Sequence, residues 1–131
     1  MPNEHPSPAR PGSIPGFRNR AHDYDGNAIA QTLGLKPSSV ARILGLSPST
    51  LSRNPASPKI RARAAKLERV LGLLSELYGD LDYAVAWLKA RSALWSDAGD
   101  LTAFDLMVRE DWGLDFVLQA VEAMRRGDPL T

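Results

Sequence analysis

The side chains best suited to chemistry lie between Leu35 and Arg53, in the run LKPSSVARILGLSPSTLSR. Ser47, Ser49, Thr50 and Ser52, flanked by Arg42 and Arg53, supply hydrogen-bond donors and acceptors without a strong nucleophile or acid. That combination suits the surface of a nucleic acid. A guanidinium fits a guanine edge bidentately or clamps a phosphate, and Arg53 is open to both roles. Ser and Thr discriminate bases poorly and more naturally meet phosphates or water-bridged edges. Downstream, Lys59, Arg63 and Lys66 share one helical face and are expected to hold a phosphate backbone.

Other chemistries find no residues here. There is no Cys, which removes disulfides, thiolate catalysis and cysteine metal sites. The two histidines, His5 and His22, both fall in the N-terminal 26 residues, without matched ligand spacing, so none lies in the expected folded region to activate a serine. The carboxylates cluster as Asp80/Asp82, Asp97/Asp100 and Glu110/Asp111, near helix starts or in loops, where they read as caps and solvated charge rather than an acid–base pair. No glycine-rich phosphate loop is present. The residues predict no enzyme, no metal, no cofactor and no small-molecule substrate. No apolar run approaches the roughly 18 residues of a membrane span and the N-terminus lacks a signal-peptide apolar core, so a cytoplasmic protein is expected.

The elements that must position these side chains follow from a phrase that occurs twice: Leu35-Lys-Pro-Ser-Ser-Val-Ala-Arg42, then Leu46-Ser-Pro-Ser-Thr-Leu-Ser-Arg53. Each copy opens with a proline where a helix's first turn accepts one, and Ser47 precedes Pro48 in the N-cap place. Gly45 lies between, able to take positive φ and turn the chain. Val40 and Leu44 share an inward face, Leu46 starts the turn, Leu51 anchors the second helix, and Ala41 is small where the two helices approach. Helix, tight turn, helix predicts a helix-turn-helix, with Ser49, Thr50, Ser52 and Arg53 outward and suited to a major groove. An ordinary helical hairpin is the alternative.

Around this unit the 131 residues divide into three expected parts. Residues 1–26 hold five of the ten prolines and three glycines, and read as a disordered tail, cationic at Arg10, Arg18 and Arg20. Residues 27–79 contain a short first helix over 27–33, the helix pair, and a long helix from Pro58 to about Tyr78 with Ile60, Leu67, Leu71, Leu74 and Tyr78 on its apolar stripe. Residues 80–131 contain a helix from Leu81 to about Ala90, capped by Asp80 with Val85 and Leu88 inward. A loop carrying Trp95 follows, then a short helix opened by the weak capping box Thr102-Ala-Phe-Asp105, and a last helix from about Gly113 to Arg126. The net charge of +1 conceals a division. Residues 1–69 carry 11 Lys/Arg against 4 Asp/Glu, and residues 70–131 carry 5 against 11. Such a split predicts a basic half for a polyanion and an acidic half with another task.

From residue 27 to 131 this order of parts resembles the Xre-type antitoxins of RES–Xre toxin–antitoxin modules. The resemblance rests on the helix-turn-helix, the long helix, Trp87-Leu88, the segment LTAFDLM at 101–107 and VLQAVEAMRRGD at 117–128. The chain differs at Ala103, where the family usually has proline, and in a Trp95-containing loop where a glycine-rich turn is common. The resemblance implies an all-α protein: an N-terminal helix-turn-helix bundle joined by a long helix to a small C-terminal toxin-binding and dimerisation domain. It implies a homodimer that represses its own operon through operator DNA and neutralises a RES-domain toxin, an ADP-ribosyltransferase-like consumer of NAD⁺. Carried over, the toxin-binding residues are Trp87, Met124, Arg125, Arg126, Gly127, Asp128, Pro129 and Leu130. A dimeric helix-turn-helix repressor without a toxin partner is the alternative.

Overall fold

The structure, a computed structural model, describes residues 13–128 and is all-α, with seven helices and no strand among the described residues. They are α1 (Gly26–Leu33), α2 (Pro37–Ile43), α3 (Pro48–Arg53), α4 (Arg61–Tyr78, entered through a 3₁₀ turn at Pro58–Ile60), α5 (Leu81–Lys89), α6 (Ala103–Arg109) and α7 (Gly113–Arg126). None is long and apolar enough to cross a membrane.

α4 is the axis of the molecule. Ala64, Leu67, Glu68 and all five residues from Val70 to Leu74 are buried on it, so its middle is enclosed on every side rather than along one stripe. α5 and α7 pack directly against it, and α2 packs against α1, α3 and α6. Tyr78, expected on the stripe, is 38% exposed instead: α4 has by then run past the core, and the ring lies 4.7 Å from that of Tyr83. The line drawn between residues 79 and 80 does not separate two cores. Ile29, Val40 and Leu51 belong to the same continuous cluster as Leu88, Met107, Val117 and Val121.

The expectation of a disordered tail over residues 1–26 is corrected for residues 13–26; residues 1–12 lie outside the described residues. Phe17 is fully buried and Ile14 nearly so, an apolar pair that proline and glycine content concealed. Glu68 on α4 fastens the segment. It accepts the Ile14 backbone N–H at 2.8 Å, both terminal nitrogens of Arg18 at 2.7 and 3.0 Å, and the Tyr24 hydroxyl at 2.7 Å. The Arg18 guanidinium also stacks 4.3 Å from the centre of the Tyr24 ring. Asp25 then caps α1 by accepting the Ala28 N–H.

In the C-terminal half the capping box opening α6 is complete: Thr102 accepts the Asp105 N–H and Asp105 accepts the Thr102 N–H. Gly113 begins α7 against the α6 backbone so closely that a Cβ there would meet the Leu106 carbonyl oxygen and lie 2.7 Å from its carbon. α7 sends Val117 and Val121 into the core and closes at Gly127. There the Gly127 N–H donates to Met124 O and the Asp128 N–H to Ala123 O, the paired bonds of a Schellman end.

Candidate functional site

α2 and α3 are joined by a short turn at Gly45. Gly45 has φ +81°, its N–H donates to Arg42 O at 3.1 Å, and the Leu46 N–H donates to Ala41 O at 2.9 Å, so the helix ends and reverses within two residues. Val40, Ala41, Ile43, Leu44 and Leu51 are buried, and Gly26 of α1 lies against Leu51 with no room for a side chain. Arg42, Ser47, Ser49, Ser52 and Arg53 are exposed; Thr50 is half-buried.

The hydroxyls are less free than their composition implied. Ser47 accepts the Thr50 N–H at 3.2 Å as the α3 N-cap, shares a hydrogen bond with the Thr50 hydroxyl at 2.7 Å, and lies 3.3 Å from the Ser49 hydroxyl. Ser47 and Thr50 therefore serve first to start the helix. Arg42 and Arg53 end α2 and α3, where cations favour the negative helix terminus, and Lys59 stands in the 3₁₀ turn that leads into α4. Among the described residues none of these three makes an ion pair.

The rest of the basic run differs from expectation. Lys66 lies 2.7 Å from Asp115 of α7, and Arg69 bonds Glu122 of α7 at 3.2 Å. Arg63 turns toward the α2–α3 turn, donating to Ile43 O at 3.4 Å with Asp111 3.9 Å away. Lys59 and Arg63 therefore do not act alike: one is free on the surface and the other is engaged. Part of the division of charge along the chain is an internal pairing, because Asp115 and Glu122 of α7 lie along the basic edge of α4 at Lys66 and Arg69.

The residues carried over for toxin binding fall into two places. Trp87 is half-buried in an aromatic row, 5.6 Å from Trp95, which lies 6.3 Å from Phe116, itself 5.8 Å from Trp112. This row meets the first turn of α7. Met124 packs partly on the core at the other end, Arg125 is exposed, and Arg126 pairs with Asp128 at 2.9 Å beside the Gly127 cap. Ten residues of helix separate Phe116, where the aromatic row meets α7, from Arg126, about 15 Å along the helix. Pro129 and Leu130 lie outside the described residues.

Two features were missed from the sequence. Trp112 and Phe116 are 53% and 44% exposed, four residues apart and off the Val117–Val121 stripe, a spacing that marks a separate face of α7. A cleft of about 500 Å³ lies between the N-terminal segment, α4 and the end of α7, lined by Arg18, Tyr24, Glu68, Glu76 and Arg125 among others. No local signal announced it, since its walls come from three distant segments. Burial pushes the Glu68 carboxyl up, but the Arg18, Ile14 and Tyr24 hydrogen bonds outweigh that and hold it below the ordinary glutamate value. Burial beside that carboxylate raises the Tyr24 phenol.

Compared with models of protein families, with curated proteins and with solved structures, the chain matches none.

Proposed function

We propose that this protein is a helix-turn-helix DNA-binding repressor and, within the resemblance described above, the antitoxin of a RES-type toxin, with no catalytic activity of its own. The observation that carries the DNA-binding part is the α2–α3 unit. A left-handed Gly45 joins two short helices whose apolar residues are all inward, while Arg42, Ser49, Ser52, Arg53 and Lys59 face outward and no acid pairs with their cations among the described residues. α3 would enter the major groove with Arg53 on a base edge or a phosphate, and Arg42 and Lys59 would flank it on phosphates. A two-fold dimer would then read half-sites about 34–36 Å apart.

The antitoxin part is supported by the resemblance of LTAFDLM at 101–107 and VLQAVEAMRRGD at 117–128 and by exposed aromatic surface at the start of α7. A second reading, a dimeric repressor without a toxin partner, is favoured by a different observation. α7 spends both its acids on α4 and buries Val117 and Val121 in the core, as a purely structural helix would.

Selection of genomic fragments by the purified protein tests the first part: enrichment of a two-fold symmetric motif supports it, and retention governed by salt alone with no sequence preference overturns it. Co-expression with the product of the neighbouring gene tests the second. Growth rescued by this chain supports the antitoxin, and a neighbour that is harmless or unrelieved leaves the plain repressor.

A further inference from the structure

We infer that Arg63 is a positioning residue for DNA recognition, one that sets the angle between α2 and α3 from behind instead of touching the nucleic acid; this rests on the DNA-binding reading. The turn at Gly45 satisfies the carbonyls of Ala41 and Arg42 through the Leu46 and Gly45 N–H groups, and leaves the next carbonyl, Ile43 O, without a partner from the helix itself. Arg63, reaching back from the first turn of α4, donates to that carbonyl at 3.4 Å.

The glycine serves this contact as well as the turn. A Cβ at position 45 would stand 3.1 Å from the Arg63 Nε and 3.2 Å from its Cζ, so the Arg63 side chain packs closely on the space that the missing side chain leaves. Arg63 is only 33% exposed, whereas Lys59, four residues earlier, is exposed and unpaired among the described residues. Asp111, at 3.9 Å and 97% exposed, is too solvated to supply the hold, which therefore comes from the carbonyl bond and the packing over Gly45. α3 begins three residues after Gly45, so any change in how Arg63 seats the turn swings the helix that carries Ser49 and Arg53.

The test is a titration of the full chain against its selected DNA site and a scrambled site, each over a range of salt. Arg63→Ala and Arg63→Lys should both weaken the selected site about tenfold, the loss of one charge-assisted hydrogen bond, while leaving the slope of log K against log[salt] unchanged. Lys59→Ala is the comparator: it should lower both sites alike and reduce the slope by about 0.9, one phosphate contact. A slope reduced by that amount in Arg63→Ala, with binding restored in Arg63→Lys, makes Arg63 a phosphate contact and overturns the inference while the DNA-binding reading stands. Unaltered protein that binds neither site overturns the reading and this inference together. If Arg63→Ala loses its cooperative thermal transition, Arg63→Lys, which keeps the aliphatic stem, decides the matter by whether its selected-site affinity falls.

Discussion

Glu68 shows how one side chain can recruit a segment that composition marks as tail. It is 7% exposed, and an unpaired carboxylate at that depth would shift toward its neutral form. Arg18, Tyr24 and the Ile14 N–H instead hold it ionised. Its folded value lies below that of the unfolded chain, so the stabilisation is fully present above about pH 4.3 and is lost as the pH falls through the folded value. Glu68→Gln keeps the shape but loses the charge, and should cost about 2 kcal/mol at pH 7, in the range of charge-assisted hydrogen bonds. Urea unfolding at pH 7 and near pH 3 measures it: the gap between the variant and the unaltered protein should narrow at the lower pH. An equal gap at both values would show that the carboxylate's charge is not what fastens residues 13–25.

Among the elements, the corner between α6 and α7 is the least forgiving. α6 is only seven residues long and is held at its start by the Thr102–Asp105 capping box. At its far end the chain turns through Glu110–Trp112 into α7, and the Gly113 backbone rests on that of Leu106 and Met107. A methyl group at 113 would approach the Met107 Cα to 2.9 Å, and neither neighbour is a flexible side chain able to move aside. Gly113→Ala should therefore destabilise by about 3 kcal/mol, at the upper end of overpacking, despite the better helix propensity of alanine. The chemical-denaturation midpoint checks it. An unchanged or raised midpoint would mean that the corner yields freely.

For the whole molecule, the charge pattern has a consequence that neither half states alone. Arg69 with Glu122 and Lys66 with Asp115 are exposed or half-exposed pairs, each worth at most about 1 kcal/mol to stability. Their larger effect is on the field: they cancel cations that would otherwise extend the basic surface beyond Arg42, Arg53 and Lys59. The double substitution Asp115→Asn with Glu122→Gln should change the unfolding midpoint little. On the DNA-binding reading it should raise affinity for non-specific duplex DNA and steepen its salt dependence, as two more cations become available. Filter-binding on random-sequence DNA over a salt series measures this, and an unchanged slope would mean that Lys66 and Arg69 face away from any bound duplex.

Local physics determined much of this protein directly from its sequence. The prolines at 37, 48 and 58, the caps Asp25, Ser47, Asp80 and Thr102, and the terminating glycines at 45, 79 and 127 act through bonds within a few residues. Helix identity, the inward set Val40, Ala41, Leu44 and Leu51, and the span of α7 were therefore legible. Only the tertiary structure decided which charges are free. Lys59 and Arg63 are alike in sequence, yet one stands in solvent and the other lies over Gly45, because its position four residues later on α4 faces the α2–α3 turn. The same reason joins Ile14 to Glu68 and Trp95 to Phe116: these relations depend on segments meeting across many residues, where no periodicity reaches.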